Sequence, residues 1–403
     1  MRNKILNYLG IIFLIMVSMY ATYDNPKLVE TPKKIIKYYL KQIGLIDTFH
    51  IDEKKESSSG TPLKDQKIQE FFANSFTLSI KKHKDLNGKT AGIIFDDENL
   101  NIFTQSGELI SNEEISEIYL PLDFTENNEG GVKSVFFFDN DYYALISRQS
   151  LNCNYASLIN IKKKNVIFDT KCIPDPEKVN FAGLGGAHII YNNDLLLTIG
   201  IPTHYSDEID KLAQEKDFLY GKTLLIKKNQ DDLTFSIFST GHRNPQGLVE
   251  IDGKIYSTEH GPEGGDELNK ILINKNYGWP LTNLGRRYGG ASYLKKSKNF
   301  ESPIFSFLPA IAPSSLTTCP KNLKNYYKEY TCLLGLTLKE MSMIVYLLDD
   351  NNKLISYEKI LIEKRMRNFA LNKDLKLYFD QNKNFYFSSD KDGIYQAKFK
   401  DFK

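Results

Sequence analysis

Gly241-His242-Arg243-Asn244-Pro245-Gln246-Gly247-Leu248, then Thr258-Glu259-His260-Gly261-Pro262-Glu263-Gly264-Gly265-Asp266-Glu267-Leu268-Asn269, then Asn276-Tyr277-Gly278-Trp279-Pro280: these forty residues hold the densest chemistry of the chain. Pro245 confines Asn244 to extended backbone, so Arg243 and Asn244 are presented from a turn rather than from a helix. Gly261 and Pro262 break the β run at 254–258 and free their carbonyl oxygens from ladder partners. Bare carbonyls beside Glu259, Asp266 and Glu267 are hard oxygen donors, a set that suits Ca²⁺ better than zinc. Gly264-Gly265 lets the backbone fold closely around a ligand. The stretch therefore reads as a polar site carried on β structure.

Working outward, the same unit recurs: a β run, a turn of Asp, Asn or Gly, and a second β run. It is visible at 93–104, 136–147, 189–200, 248–261 and 378–390. Successive starts lie 43, 53 and 59 residues apart, and the last gap of 130 holds two units. Hairpin periods of about 40 to 60 residues are those of propeller blades, and about six such units fill the chain. The 25 Phe and 24 Tyr favour strands. No helical periodicity separates the runs, which argues against a parallel α/β sheet. A tandem of β-sandwiches is the alternative on pattern alone.

The ends and the composition add context. Residues 5–21 form an apolar stretch behind Arg2 and Lys4, read as a signal sequence or, since small residues are scarce near Ser18, an uncleaved anchor. Helical spacing of Ile36, Tyr39, Leu40, Ile43 and Ile46 gives a short amphipathic helix, and a Ser-, Lys- and Glu-rich linker follows. The expected organisation is anchor 1–21, juxtamembrane helix and linker 22–70, and an all-β six-bladed propeller over 71–403. Export to the periplasmic side, tethered or secreted, follows from that start. Four cysteines fit an oxidising compartment; of three connectivities, Cys153 with Cys172 and Cys319 with Cys332 are the local ones. A net charge of +2 makes no electrostatic case for nucleic acid.

The quoted stretch closely resembles the signature of the soluble quinoprotein glucose and aldose sugar dehydrogenases, the glucose/sorbosone dehydrogenase family. The resemblance covers roughly residues 75 to 400 and is strongest beyond about 220. It implies a six-bladed propeller, pyrroloquinoline quinone (PQQ) and Ca²⁺ as cofactors, and oxidation of a sugar at its anomeric carbon. An electron acceptor is implied without being named. By resemblance the cofactor is held by Arg243, Asn244, Gln246 and His260, by Lys339 in Gly335-Leu336-Thr337-Leu338-Lys339, and by Arg365 and Arg367 in Arg365-Met366-Arg367. Guanidinium and ammonium groups are the natural grip for a tricarboxylate. Gly261 and Pro262 correspond to the carbonyls that hold calcium near the quinone, where the ion acts as a Lewis acid. Asp266, Glu267 and Tyr277 correspond to a second, structural calcium site.

One part of the pattern is missing. The family's general base is a histidine that aligns with Phe181 or Gly183, and the acid after the Thr198-Ile199-Gly200 strand is replaced by Ile201. His188 is a weak substitute and His204 lies in a polar loop. Loss of a general base costs about a hundredfold to ten-thousandfold in rate. The cations favour an enzyme with Arg243 positioning cofactor or substrate; the missing histidine and acid favour a non-catalytic propeller module of the same fold.

Overall fold

The computed structural model describes residues 68–203, 206–229, 232–286 and 299–403. The expected anchor, juxtamembrane helix and nearly all of the linker lie outside them, as does His204. The described chain is almost entirely β, arranged as six sheets that are antiparallel apart from one short parallel pairing at Leu371–Asn372, the blades of a propeller.

The innermost strands of the blades are Thr90–Asp96, Val132–Phe138, Gly185–Tyr191, Pro245–Ile251, Pro313–Thr318 and Met366–Phe369. Each touches the next around a ring, and the sixth returns to the first. Four of the five sequence-expected hairpins coincide with the two inner strands of a blade. The fifth does not: Tyr378 lies outside any strand, and that blade starts at Met366, with Phe385–Ser389 as its next strand. The short inner strand MRNF carries two polar residues, which hid it from a hydrophobic pattern.

The ring closes by mixing the two ends of the chain. Thr77–Asp85 pairs with Gly393–Lys400, from Thr77 opposite Lys400 to Asp85 opposite Gly393, and Gln69–Phe72 adds the outer edge. Propeller strands thus start at Gln69, just before the expected boundary at 71. Asp392 clips the closure, receiving Lys82 at 2.7 Å, Lys364 at 2.8 Å and the Tyr395 hydroxyl at 2.7 Å. Burial raises this carboxyl, but bonds from Lys364, Lys82 and Tyr395 outweigh it and bring it down to about 2.

Apolar clusters fill the spaces between blades. The largest joins Phe136, Leu145 and Leu158 of one blade to Leu195, Leu197 and Leu224 of the next. The strand Ser342–Leu348, SMIVYLL, is buried at every position because sheets pack on both of its faces. Both local disulfides are present, Cys153–Cys172 and Cys319–Cys332, with Cα atoms 5.4 and 5.5 Å apart.

One irregularity repeats six times. Each inner strand breaks register with its neighbour near its beginning: between Thr90 and Gly92, Val132 and Ser134, Gly185 and His188, Pro245 and Gly247, Pro313 and Ser315, and Met366 and Phe369. A bulge of this kind re-aims a side chain that regular alternation would send elsewhere. Here it places Lys133, Gln246 and Arg367 on the axial channel.

Candidate functional site

A cavity of about 680 Å³ opens at one end of the channel. Its walls bring together Arg243, Asn244, Gln246, His260, Gly261, Pro262, Asp266, Lys339, Arg365 and Arg367, residues that span three blades. Sequence reasoning missed Lys89, Gln105, Glu129, Lys133 and Arg286, which also line it. Seven cationic side chains thus face three acidic ones, a balance that favours an anionic occupant.

The turn Gly241–Asn244 delivers Arg243 inward, where it is 4 % exposed. Its Nη1 donates to the carbonyls of Gly261, at 2.7 Å, and His260, at 3.2 Å, and its guanidinium lies 5.2 Å from the Trp279 ring centre. Asn244 donates to the Ala182 carbonyl and accepts from Gln246, at 2.7 Å. His260 Nε2 lies 2.7 Å from the Pro313 carbonyl, which only an N–H can satisfy, so Nδ1 is left as an acceptor. Burial, with Arg243 nearby, pushes His260 below its ordinary value despite Asp266.

Arg367 is gripped at two points by Asp390, Nε to Oδ1 and Nη2 to Oδ2, both at 2.6 Å. Arg365 is more exposed, its Nε 3.9 Å from Asp390, and Lys339 is exposed at the rim. Lys89 pairs with Glu129 at 3.0 Å. Lys133 Nζ donates to the Glu129 carbonyl at 2.9 Å.

The expected structural calcium trio does not assemble. Asp266 and Glu267 are consecutive in the strand Asp266–Ile271, so their side chains leave opposite faces. Asp266 staples two loops, Oδ1 accepting from Gly261 N at 2.8 Å and Oδ2 from Ile311 and Ala312 N at 2.7 and 2.6 Å. Glu267 turns toward Glu259, directly opposite it on the adjacent strand. Burial raises both carboxyls, and each also accepts from Asn269 Nδ2. Tyr277 stacks on His242, and its hydroxyl is occupied by Lys270 O and Leu272 N. His242 attracted no expectation from sequence, yet it lies 3.3 Å from Glu259, and burial lowers it to about 3. Among the described residues, no three His, Cys, Asp or Glu side chains converge as metal ligands.

His188, the weak candidate base, is corrected by position. It lines a second cavity of about 750 Å³ instead, with Nδ1 3.0 Å from the Gly186 carbonyl and its ring 4.7 Å from Phe136. Burial pushes it down to about 4, only partly offset by that carbonyl. The alignment positions for the base are closed as well. Phe181 is fully buried in the core, and a Cβ on Gly183 would overlap the Ile201 carbonyl.

Fold and site together define a six-bladed propeller with a cationic axial cavity. The chain belongs to the Glucose / Sorbosone dehydrogenase family, a family of oxidoreductases, whose model matches residues 127–385. It is 33% identical over 194 residues to an uncharacterized protein of Synechocystis, covering 44% of this chain and 47% of that one. It is 40% identical over 91 residues to the aldose sugar dehydrogenase YliI of Escherichia coli, covering 19% of this chain and 24% of that one. The alignments thus span about half the length of the first curated relative and about a quarter of the second. Among solved structures, the soluble aldose sugar dehydrogenase of Escherichia coli in apo form superposes with a TM-score of 0.65 at 19% identity, covering 80% of this chain and 99% of that one. The PQQ-bound aldose sugar dehydrogenase of Streptomyces coelicolor does so at 0.55 and 17%, covering 84% and 100%. These two likenesses concern the fold.

Proposed function

We propose that the axial cavity binds PQQ and that the chain oxidises an aldose at its anomeric carbon. The observation carrying this reading is the convergence of Arg243, Lys339, Arg365 and Arg367, from three blades, on one cavity. A planar tricarboxylate needs such a spread of donors, and a guanidinium oriented as firmly as Arg367 loses little entropy on binding. Bound there, the quinone would supply the oxidant. Arg243, Asn244 and Gln246 would orient the ligand, and His260 Nδ1 would offer an acceptor at the wall.

Calcium enters the proposal with a condition. The Gly261 carbonyl already accepts from Arg243, and both Asp266 oxygens are taken by backbone N–H groups. Ca²⁺ takes six to eight oxygens, so Gly261 and Pro262 fit it only where the cofactor and water bring the remaining oxygens. Export to an oxidising compartment is part of the same reading, supported by the two disulfides.

A specific observation favours a second reading, a propeller that binds the cofactor without turning over: of the two positions that match the family's base, Phe181 is packed in the core and a Cβ on Gly183 would meet the Ile201 carbonyl. Titration of the purified chain with PQQ and Ca²⁺, followed by dye reduction with a panel of aldoses, separates the two. Binding with dye reduction supports the dehydrogenase. Tight binding without reduction supports the module, and absence of binding removes both.

A further inference from the structure

Lys133, Gln246 and Arg367 share more than the cavity. All three come from inner-strand bulges, and with Gly185 they line both the 680 Å³ cavity and the 750 Å³ cavity beyond it. They form the floor on which any occupant of the site would rest. Two of the three side chains are held by partners: Arg367 by Asp390 at two points, Gln246 by Asn244.

Lys133 differs. Its ammonium makes a bond to the main-chain carbonyl of Glu129, while the Glu129 carboxylate is turned to Lys89. A half-buried cation with three donors, flanked by Arg367 and Lys89, is held there without a matched carboxylate. Such a charge is costly unless an anion arrives.

We propose that Lys133 is a further anion-binding residue of this site, gripping a carboxylate of the ligand from the channel floor while Lys339 and Arg365 act at the rim. The proposal rests on the reading of the cavity as a polycarboxylate site, and nothing in the sequence motifs pointed to this residue. The charged groups around it are Lys89 and Glu129, Arg367 with its counter-ion Asp390, and, across the cavity, Arg243, Lys339 and Arg365. His260 and, on the far side, His188 are both held toward the neutral form. Burial foremost, then Arg367 and Lys89, bring Lys133 down to about 7 against the pull of Glu129. The ammonium is thus weakened in the empty site, and a carboxylate bound beside it favours the charged form, so binding above neutral pH draws a proton from solution.

Calorimetry on the full chain tests this with PQQ at pH 8.5 and pH 6, each in two buffers of different ionisation enthalpy. The expected result is uptake of about one proton at pH 8.5 and almost none at pH 6. Lys133→Met abolishes the uptake and weakens binding at pH 6 by about tenfold or more, the loss of one charge-assisted bond. Lys133→Arg binds without uptake, and it shows that loss of charge rather than of fold is responsible. Uptake unchanged in Lys133→Met, or affinity within twofold of the parent, overturns the proposal. Benzene-1,3,5-tricarboxylate is titrated in parallel. If it binds with Lys133-dependent uptake while PQQ does not, the cofactor reading fails and the role of Lys133 stands. If neither binds, both fall.

Discussion

Arg243 and Gly261 are joined directly, the guanidinium Nη1 donating to the Gly261 carbonyl at 2.7 Å. The residue best placed to grip an anion thus also occupies the carbonyl best placed to hold a cation. Arg243→Ala removes a charge-assisted bond worth about 1.5 to 3 kcal/mol, so PQQ affinity should fall between about tenfold and a hundredfold. Equilibrium titration by fluorescence checks this, and an unchanged dissociation constant would place the cofactor elsewhere.

Asp266 ties two loops together, and its removal should be felt in stability. Asp266→Ala leaves the N–H groups of Gly261, Ile311 and Ala312 without their acceptor. At about 1 to 3 kcal/mol for each buried orphan, offset in part by water at Ala312, the expected loss is roughly 3 to 5 kcal/mol. Urea denaturation reads it directly; a midpoint equal to that of the parent contradicts the staple.

Gly183→His, which would put an imidazole at one of the two positions where the family resemblance calls for one, is expected to fail. Its Cβ meets the Ile201 carbonyl, a backbone atom that cannot swing aside, so the cost exceeds the roughly 1 to 3 kcal/mol of ordinary overpacking. Low soluble yield and a depressed melting temperature are the outcomes to look for. A stable variant with dye-reducing activity would show that the loop yields.

Asp392 makes the ring closure acid-sensitive. Its folded value lies below its unfolded one, so its contribution is present above about pH 4 and is lost as pH falls through about 2. Holding the carboxyl at about 2 corresponds to about 2.5 kcal/mol; with the side chain 30% exposed, screening reduces it to about 1 kcal/mol. Stability of Asp392→Asn measured between pH 2 and 6 should fall less steeply toward acid than that of the parent. Parallel curves would assign the closure to the strand pairing alone.

The residues from Arg243 to Asp266 announced a site because turn chemistry is local: Gly241, Pro245, Gly261 and Pro262 dictate their own backbone and that of their neighbours. Blade repetition was legible for the same reason, since hairpins are short-range structures with a period-two pattern. The inner strand at Met366–Phe369 escaped because half of it is polar, and it is polar because it faces the channel.

By itself the amino-acid order determined four of the hairpins, the blade-like repeat, the local disulfides and the polar turn of the fourth blade, all set by contacts between residues near one another along the chain. Only the closed ring decided which cations share a cavity, that Lys133 joins Arg367 on its floor, and that His188 lines the neighbouring cavity. Those outcomes depend on the bulges, on strand faces and on one chain end completing the blade of the other. A reading taken residue by residue has no access to distances of that kind.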